Sequence, residues 1–166
     1  METLYFDLLQ FLYHFALAIL VGGAFVLATS VAPALFTSRG VGQPLTRSQA
    51  GTAFSGALER FDNWAIAALI VLAITSVLKA LSFEITAAPE PRLIARWAVL
   101  IVLAGATLYA SAYAHPVARS IRRQTPGFDD LPPTAPARVE FARLHETSRR
   151  SMSVAVVAGM LALFLS

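Results

Sequence analysis

Trp64-Ala-Ile-Ala-Ala-Leu-Ile-Val-Leu-Ala-Ile-Thr-Ser-Val-Leu-Lys-Ala-Leu-Ser-Phe83 is continuous apolar sequence, broken by one charge, Lys79. A helix rises about 1.5 Å per residue, so about 20 such residues cross a hydrocarbon core of about 30 Å. Three more stretches read the same way: Leu8 to Phe36, Leu93 to Ala114, and Met152 to Leu165, which is shorter and extends back through His145. Lipid offers no partner for backbone N–H and C=O groups, so only helices and closed barrels span it, and these runs do not alternate as barrel strands do. The sequence therefore predicts an all-α integral membrane protein, an antiparallel four-transmembrane-helix bundle. Residues 1–166 form a single membrane domain with helices at about 5–36, 48–83, 92–119 and 137–166.

Composition agrees. The chain is 57% hydrophobic and 14% charged, against about 25% charged in soluble domains. It has no cysteine, which excludes disulfides and thiolate metal sites. The first apolar run carries Glu2 and Asp7 ahead of it and is too long for a cleavable signal, so it is expected to be retained.

The basic excess reads as a topology signal, with no nucleic-acid partner. Ten arginines (Arg39, Arg47, Arg60, Arg119, Arg122, Arg123, Arg138, Arg143, Arg149, Arg150) lie in or beside the 1–2 and 3–4 connections. Lys79, Arg92 and Arg96 flank the 2–3 connection. The positive-inside rule then puts loops 37–48 and 119–137 in the cytoplasm and both termini outside, in a cell (inner) membrane. Lys79 is expected to snorkel outward, and Asp62 and Glu59, beside Arg60, to be solvated.

Helix 1 carries His14, Ala18, Gly22, Val26 and Ser30 at spacing four, with Gly23 alongside. Small residues so spaced let a second helix approach, and Ala18, Gly22, Gly23, Gly105 and Gly159 are read as packing positions. Pro33 and Pro116 should disturb their helices, the latter around Ala112. Gly40, Gly42 and Pro44 break the chain before helix 2, and Ala87, Ala88, Pro89, Glu90 and Pro91 force a turn after it. Ser48 to Asp62 reads as an amphipathic extension of helix 2, and the proline-rich stretch 124–136 as an irregular connection.

The most specific local pattern is Phe141-Ala-Arg-Leu-His145-Glu-Thr-Ser148. Phe141, His145, Ser148, Met152, Ala155 and Gly159 make one helical stripe running into the bundle. It suits either helix pairing or a ligand site, since ionisable groups in membranes are functional candidates. Phe-x3-His-x2-Ser at the start of the last helix resembles the bacterial domain-of-unknown-function 4149 family, which includes eukaryotic transmembrane protein 205, linked to platinum-drug resistance. Gly22-Gly23-Ala24-Phe25, Val31-Ala-Pro-Ala-Leu-Phe36, and Ala50-Gly51 followed by Gly56 add to the resemblance. The family has asparagine seven residues after the motif histidine, where this chain has Met152. The resemblance implies a four-helix membrane protein without a settled reaction. His14, eight residues before Gly22-Gly23, is also similar to CopD-like copper-resistance membrane proteins, which implies haem or copper, although their tryptophan before the glycines is absent.

Alternating helix direction sets His14 at one end of the bundle and His115 and His145 at the other, so a three-histidine metal site is not expected, whereas His115 and His145 can meet. There is no phosphate loop, zincin helix or nucleophile elbow, and no cofactor is predicted. Three readings follow. The first is a structural or accessory component, in a homo-oligomer or with partner membrane subunits. The second is a transport or resistance factor for metals or amphipathic compounds. The third is a CopD-like haem or copper redox protein.

Overall fold

A computed structural model describes residues 2–37, 45–84 and 90–166. The breakers Gly40, Gly42 and Pro44 and the turn at Ala87, Ala88 and Pro89 lie outside the described residues. The order is α1 (Glu2–Val26), a π turn (Leu27–Val31), α2 (Ala32–Thr37), α3 (Arg47–Lys79), a π turn (Ala80–Glu84), α4 (Pro91–Leu108), a π turn (Tyr109–Ala114), α5 (His115–Gln124), a 3-10 turn (Phe128–Asp130) and α6 (Pro136–Leu165). The π turns continue the helices around them, giving four spans: Thr3–Phe36, Ser48–Glu84, Pro91–Gln124 and Pro136–Leu165. There is no strand among the described residues.

The spans are 34, 37, 34 and 30 residues long, enough to extend roughly 15–25 Å beyond a hydrocarbon core of about 30 Å. The excess carries charge: α5, the start of α3 and the start of α6 hold most of the arginines. Large apolar side chains face outward, with Phe164 at 79% exposure, Leu81 at 70% and Ile101 at 69%. In water such a belt would drive aggregation, whereas hydrocarbon is its natural solvent. This is a multi-pass membrane protein.

Local signals explain the helix ends. Thr46 accepts from the Gln49 backbone N–H at 3.2 Å and its own N–H donates to Gln49 Oε1 at 3.0 Å, a reciprocal cap that starts α3. Pro91 and Pro136 occupy the first turns of α4 and α6, where the missing N–H has no partner to lose. Two π turns immediately precede Pro33 and Pro116. Widening the turn relieves the clash of a proline ring with the carbonyl four residues back, so the helix passes each proline without ending. Ala32 N–H accordingly donates to Leu27 O, and His115 N–H to Ala110 O.

In the bundle α1 packs on α3 and on α6, and α4 packs on α6. The second and third spans touch mainly near the Tyr109–Ala114 turn. The core is a column of Tyr13, Leu17, Leu20, Ala65, Leu72, Leu103, Ala158 and Ala162. Its packing face on α1 is Leu9, Tyr13, Ala16, Leu17, Leu20 and Ala24. That face lies one residue, about 100°, from the small-residue stripe. Ala18, Gly22 and Gly105 therefore face outward, and a Cβ at Gly22 or Gly105 would meet nothing. Large side chains fill the space between spans and set the helix rotation. Gly23 and Gly159 sit at close approaches instead: a Cβ on Gly23 would strike the Phe61 ring, and one on Gly159 would strike Val21.

The 124–136 connection is built, not loose. Gly127 takes φ +63°, which turns the chain so that Phe128 is buried against Phe141, with ring centroids 5.1 Å apart, and Arg138 lies over its face. Next to it, a hydrogen bond from the Ser48 side chain, then the Arg122 guanidinium at 2.8 Å, hold Asp129 below the usual carboxylate range. A depressed carboxylate stabilises the fold above its unfolded pKa of about 3.9 and loses that contribution as pH falls through the folded value. We expect proteolysis between Thr125 and Pro136 to speed up as pH falls below about 4. Ser48→Ala should bring the folded pKa closer to the unfolded one and so flatten this pH dependence, which limited digestion across a pH series would show.

Candidate functional site

Two polar clusters lie at opposite ends of the bundle, each assembled by charged residues that occupy inward helical stripes.

At the end carrying α5 and the start of α6, α3 turns Phe61, Asp62, Ala65, Ala68, Leu69 and Leu72 inward. Asp62 is 2% exposed, so the expectation that it is a solvated charge is corrected. Its Oδ1 pairs with His115 Nδ1 at 2.7 Å and its Oδ2 accepts from Arg119 Nη1 at 2.8 Å. The π turn at Tyr109–Ala114 advances the register so that Ser111, Ala114 and His115 are all buried, with His115 beginning α5 and Arg119 one turn further on. Asp62 thus joins the second and third spans at the end of the turn where they touch.

His115 lines a groove of about 540 Å³ whose walls come from Ala24, Phe25, Phe36, Phe54, Leu58, Phe61, His145, Ser148 and Met152, among others. Asp62 engages Nδ1 of His115, so Nε2 is the ring nitrogen left for a ligand. His145 faces the same groove. Its ring stacks on Phe141 at 6.2 Å with planes 3° apart. By surface area His145 is exposed, because the groove is open, yet protein flanks it on several sides. Ser148 is 3% exposed and donates to the His145 carbonyl at 2.9 Å, within its own helix and not to the imidazole. The remaining polar walls are Arg149, which pairs with Glu146 at 2.8 Å, and Ser153. Among the described residues no carboxylate lines the groove.

Of the stripe Phe141, His145, Ser148, Met152, Ala155 and Gly159, three residues (His145, Ser148 and Met152) line the groove. Phe141 lies behind His145, between it and Phe128, and Ala155 and Gly159 continue into the core, where they are buried. His115 and His145 come together here. His14 does not: at the opposite end its Nε2 lies 2.9 Å from Ser166 Oγ and 3.4 Å from Gln10 Nε2. Among the described residues no three His, Asp or Glu side chains gather as a metal ion would require. Haem or copper would have to rest on His115 and His145 alone, with Met152 in the same groove.

The second cluster surrounds Lys79, which is 2% exposed; outward snorkelling is corrected. Lys79 continues the inward stripe of Leu72, Thr75 and Ser76, and Arg96 heads a matching stripe with Leu100, Leu103 and Thr107. Sequence reasoning missed both charged stripes and Asp62, though the helical spacing was there to read.

A family model described as "Domain of unknown function (DUF4149)" matches residues 15–126. No curated protein and no solved structure matches.

Proposed function

We propose, since the chain belongs to the family described as domain of unknown function (DUF4149), that it is a membrane protein whose groove at the His115–His145 end binds an amphipathic small molecule, as a transport or resistance factor would. The observation that carries this reading is the groove itself. Among the described residues it combines an apolar wall of four phenylalanines with two imidazoles and an arginine, and no carboxylate. Ligand sites are concave, mostly apolar, and hold few but convergent polar groups. Such a lining favours an apolar tail with a head group that accepts hydrogen bonds or carries negative charge. Protein purified gently and analysed by native mass spectrometry should retain a small amphiphile at one per chain. Met152→Trp, which fills the groove, should lose it. Equal retention by both proteins would count against the site.

A second reading, that of a structural or accessory subunit, draws on the outward position of Ala18 and Gly22. Lipid tails are as apolar as leucine, so small surfaces that allow close backbone approach favour helix association. We also infer that the groove lies at the cytoplasmic face of a cell (inner) membrane, from the distribution of arginines. The chain has no cysteine, so single substitutions suffice to test this. Ala88→Cys should react with an impermeant thiol reagent in intact cells and Thr134→Cys only after permeabilisation. The reverse pattern would invert the topology.

A further inference from the structure

At the end opposite the groove, all four spans meet in one polar cluster. Lys79 Nζ donates to Gln10 Oε1 and lies 3.8 Å from Glu84 Oε1, while Arg96 Nη2 donates to Glu84 Oε2. Gln10 continues through His14 to Ser166. The π turn Ala80–Glu84 brings Glu84 back within reach of both cations. Lys79 and Arg96 also lie over the Tyr13 ring, at 4.8 and 5.9 Å from its centroid. The cations are buried, at 2% and 6% exposure.

Two features of the cluster do not balance. Among the described residues it holds two cations and one carboxylate. Of the other acids at this end whose side chains are described, Asp7 and Glu90 are exposed and pair with neither cation. An unneutralised charge is costly away from water, so something must offset it or the lysine must lose its proton. Second, Arg96 Nε and Tyr13 Oη are both buried and lack hydrogen-bond partners. The arginine nitrogen is a donor only, and the phenol can donate. Two buried donors left in this state call for an acceptor.

We propose that Lys79, Arg96 and Tyr13 form a binding site for one small monovalent anion. One negative charge would neutralise the cluster, whereas a dianion would overcompensate it. The burial of both cations argues for a chloride-sized ion over a phosphate tethered to a lipid. The site is independent of the groove at the other end.

The test uses the full chain in detergent, with chloride replaced by gluconate. Chloride, bromide, nitrate or sulfate is then titrated in at constant ionic strength. The expected result is a saturable rise in unfolding temperature with the three monovalent ions and none with sulfate. Lys79→Met should weaken that response roughly ten- to a hundredfold, the effect of losing a charge-assisted hydrogen bond. Tyr13→Phe should weaken it less. Should Lys79→Met fail to fold, anomalous diffraction from bromide-soaked crystals of the unaltered protein decides, with a peak expected between Lys79 and Arg96. Indifference to all four salts, or a cluster without a bromide peak, would mean that water and a neutral lysine complete it, and the proposal would be wrong.

Discussion

Asp62→Ala should destabilise the protein by about 3 kcal/mol or more in detergent unfolding, the cost of removing one member of a buried ion pair. The substitution leaves Arg119 without its anion and His115 without the acceptor that orients its ring, at the place where the second and third spans are joined. Asp62→Asn keeps the volume and one acceptor, and should lose less. The same change should disturb the groove, since His115 is a wall residue held from behind. A loss under about 1 kcal/mol, typical of a solvated pair, would mean that Asp62 is exposed to water after all.

Gly159→Leu should cost about 3 kcal/mol, at the upper end of the overpacking range, because its side chain would enter space held by Val21 and lie close to Leu103. Gly22→Leu offers the contrast. A Cβ there meets nothing, so monomer stability should be unchanged within about 0.5 kcal/mol. Denaturant titration of the two purified variants reads both effects. Should Gly22→Leu also abolish association with another membrane helix in cells, the accessory reading would gain ground.

These contrasts mark what the sequence could and could not reveal. The four spans were legible because bilayer thickness imposes a length that few other structures need. Pro33 and Pro116 were legible as disturbances, since a missing N–H has a local consequence. The π form of those disturbances was not, because it depends on neighbours holding the helix together. Helix rotation was less legible. Glycines on α1 suggested a packing face, but Tyr13, Leu17 and Leu20, one residue away, filled the interior better. The charged side chains were misplaced for a related reason. An average preference of Lys and Asp for water outweighed their positions on inward stripes, and their partners (Glu84 for Lys79, His115 and Arg119 for Asp62) are distant in sequence. The Phe141–His145–Ser148 motif is legible from its spacing, whereas the wall across the groove from His145 and Ser148 (Phe25, Phe36, Phe54 and Phe61) comes from helices that only the fold brings there.

The groove is the centre of the functional account, and photolabelling tests it most directly. A photoreactive long-chain carboxylic acid is added to the protein in lipid nanodiscs, irradiated, and the adducts are mapped by peptide mass spectrometry. The account predicts saturable labelling concentrated on Phe25, Phe54 and Met152, suppressed by excess unlabelled acid and lost in Met152→Trp. Labelling spread over the outward belt, including Ala98, Val102 and Leu161 in the shallow cleft between α4 and α6, and unchanged by competitor or by Met152→Trp, would contradict it.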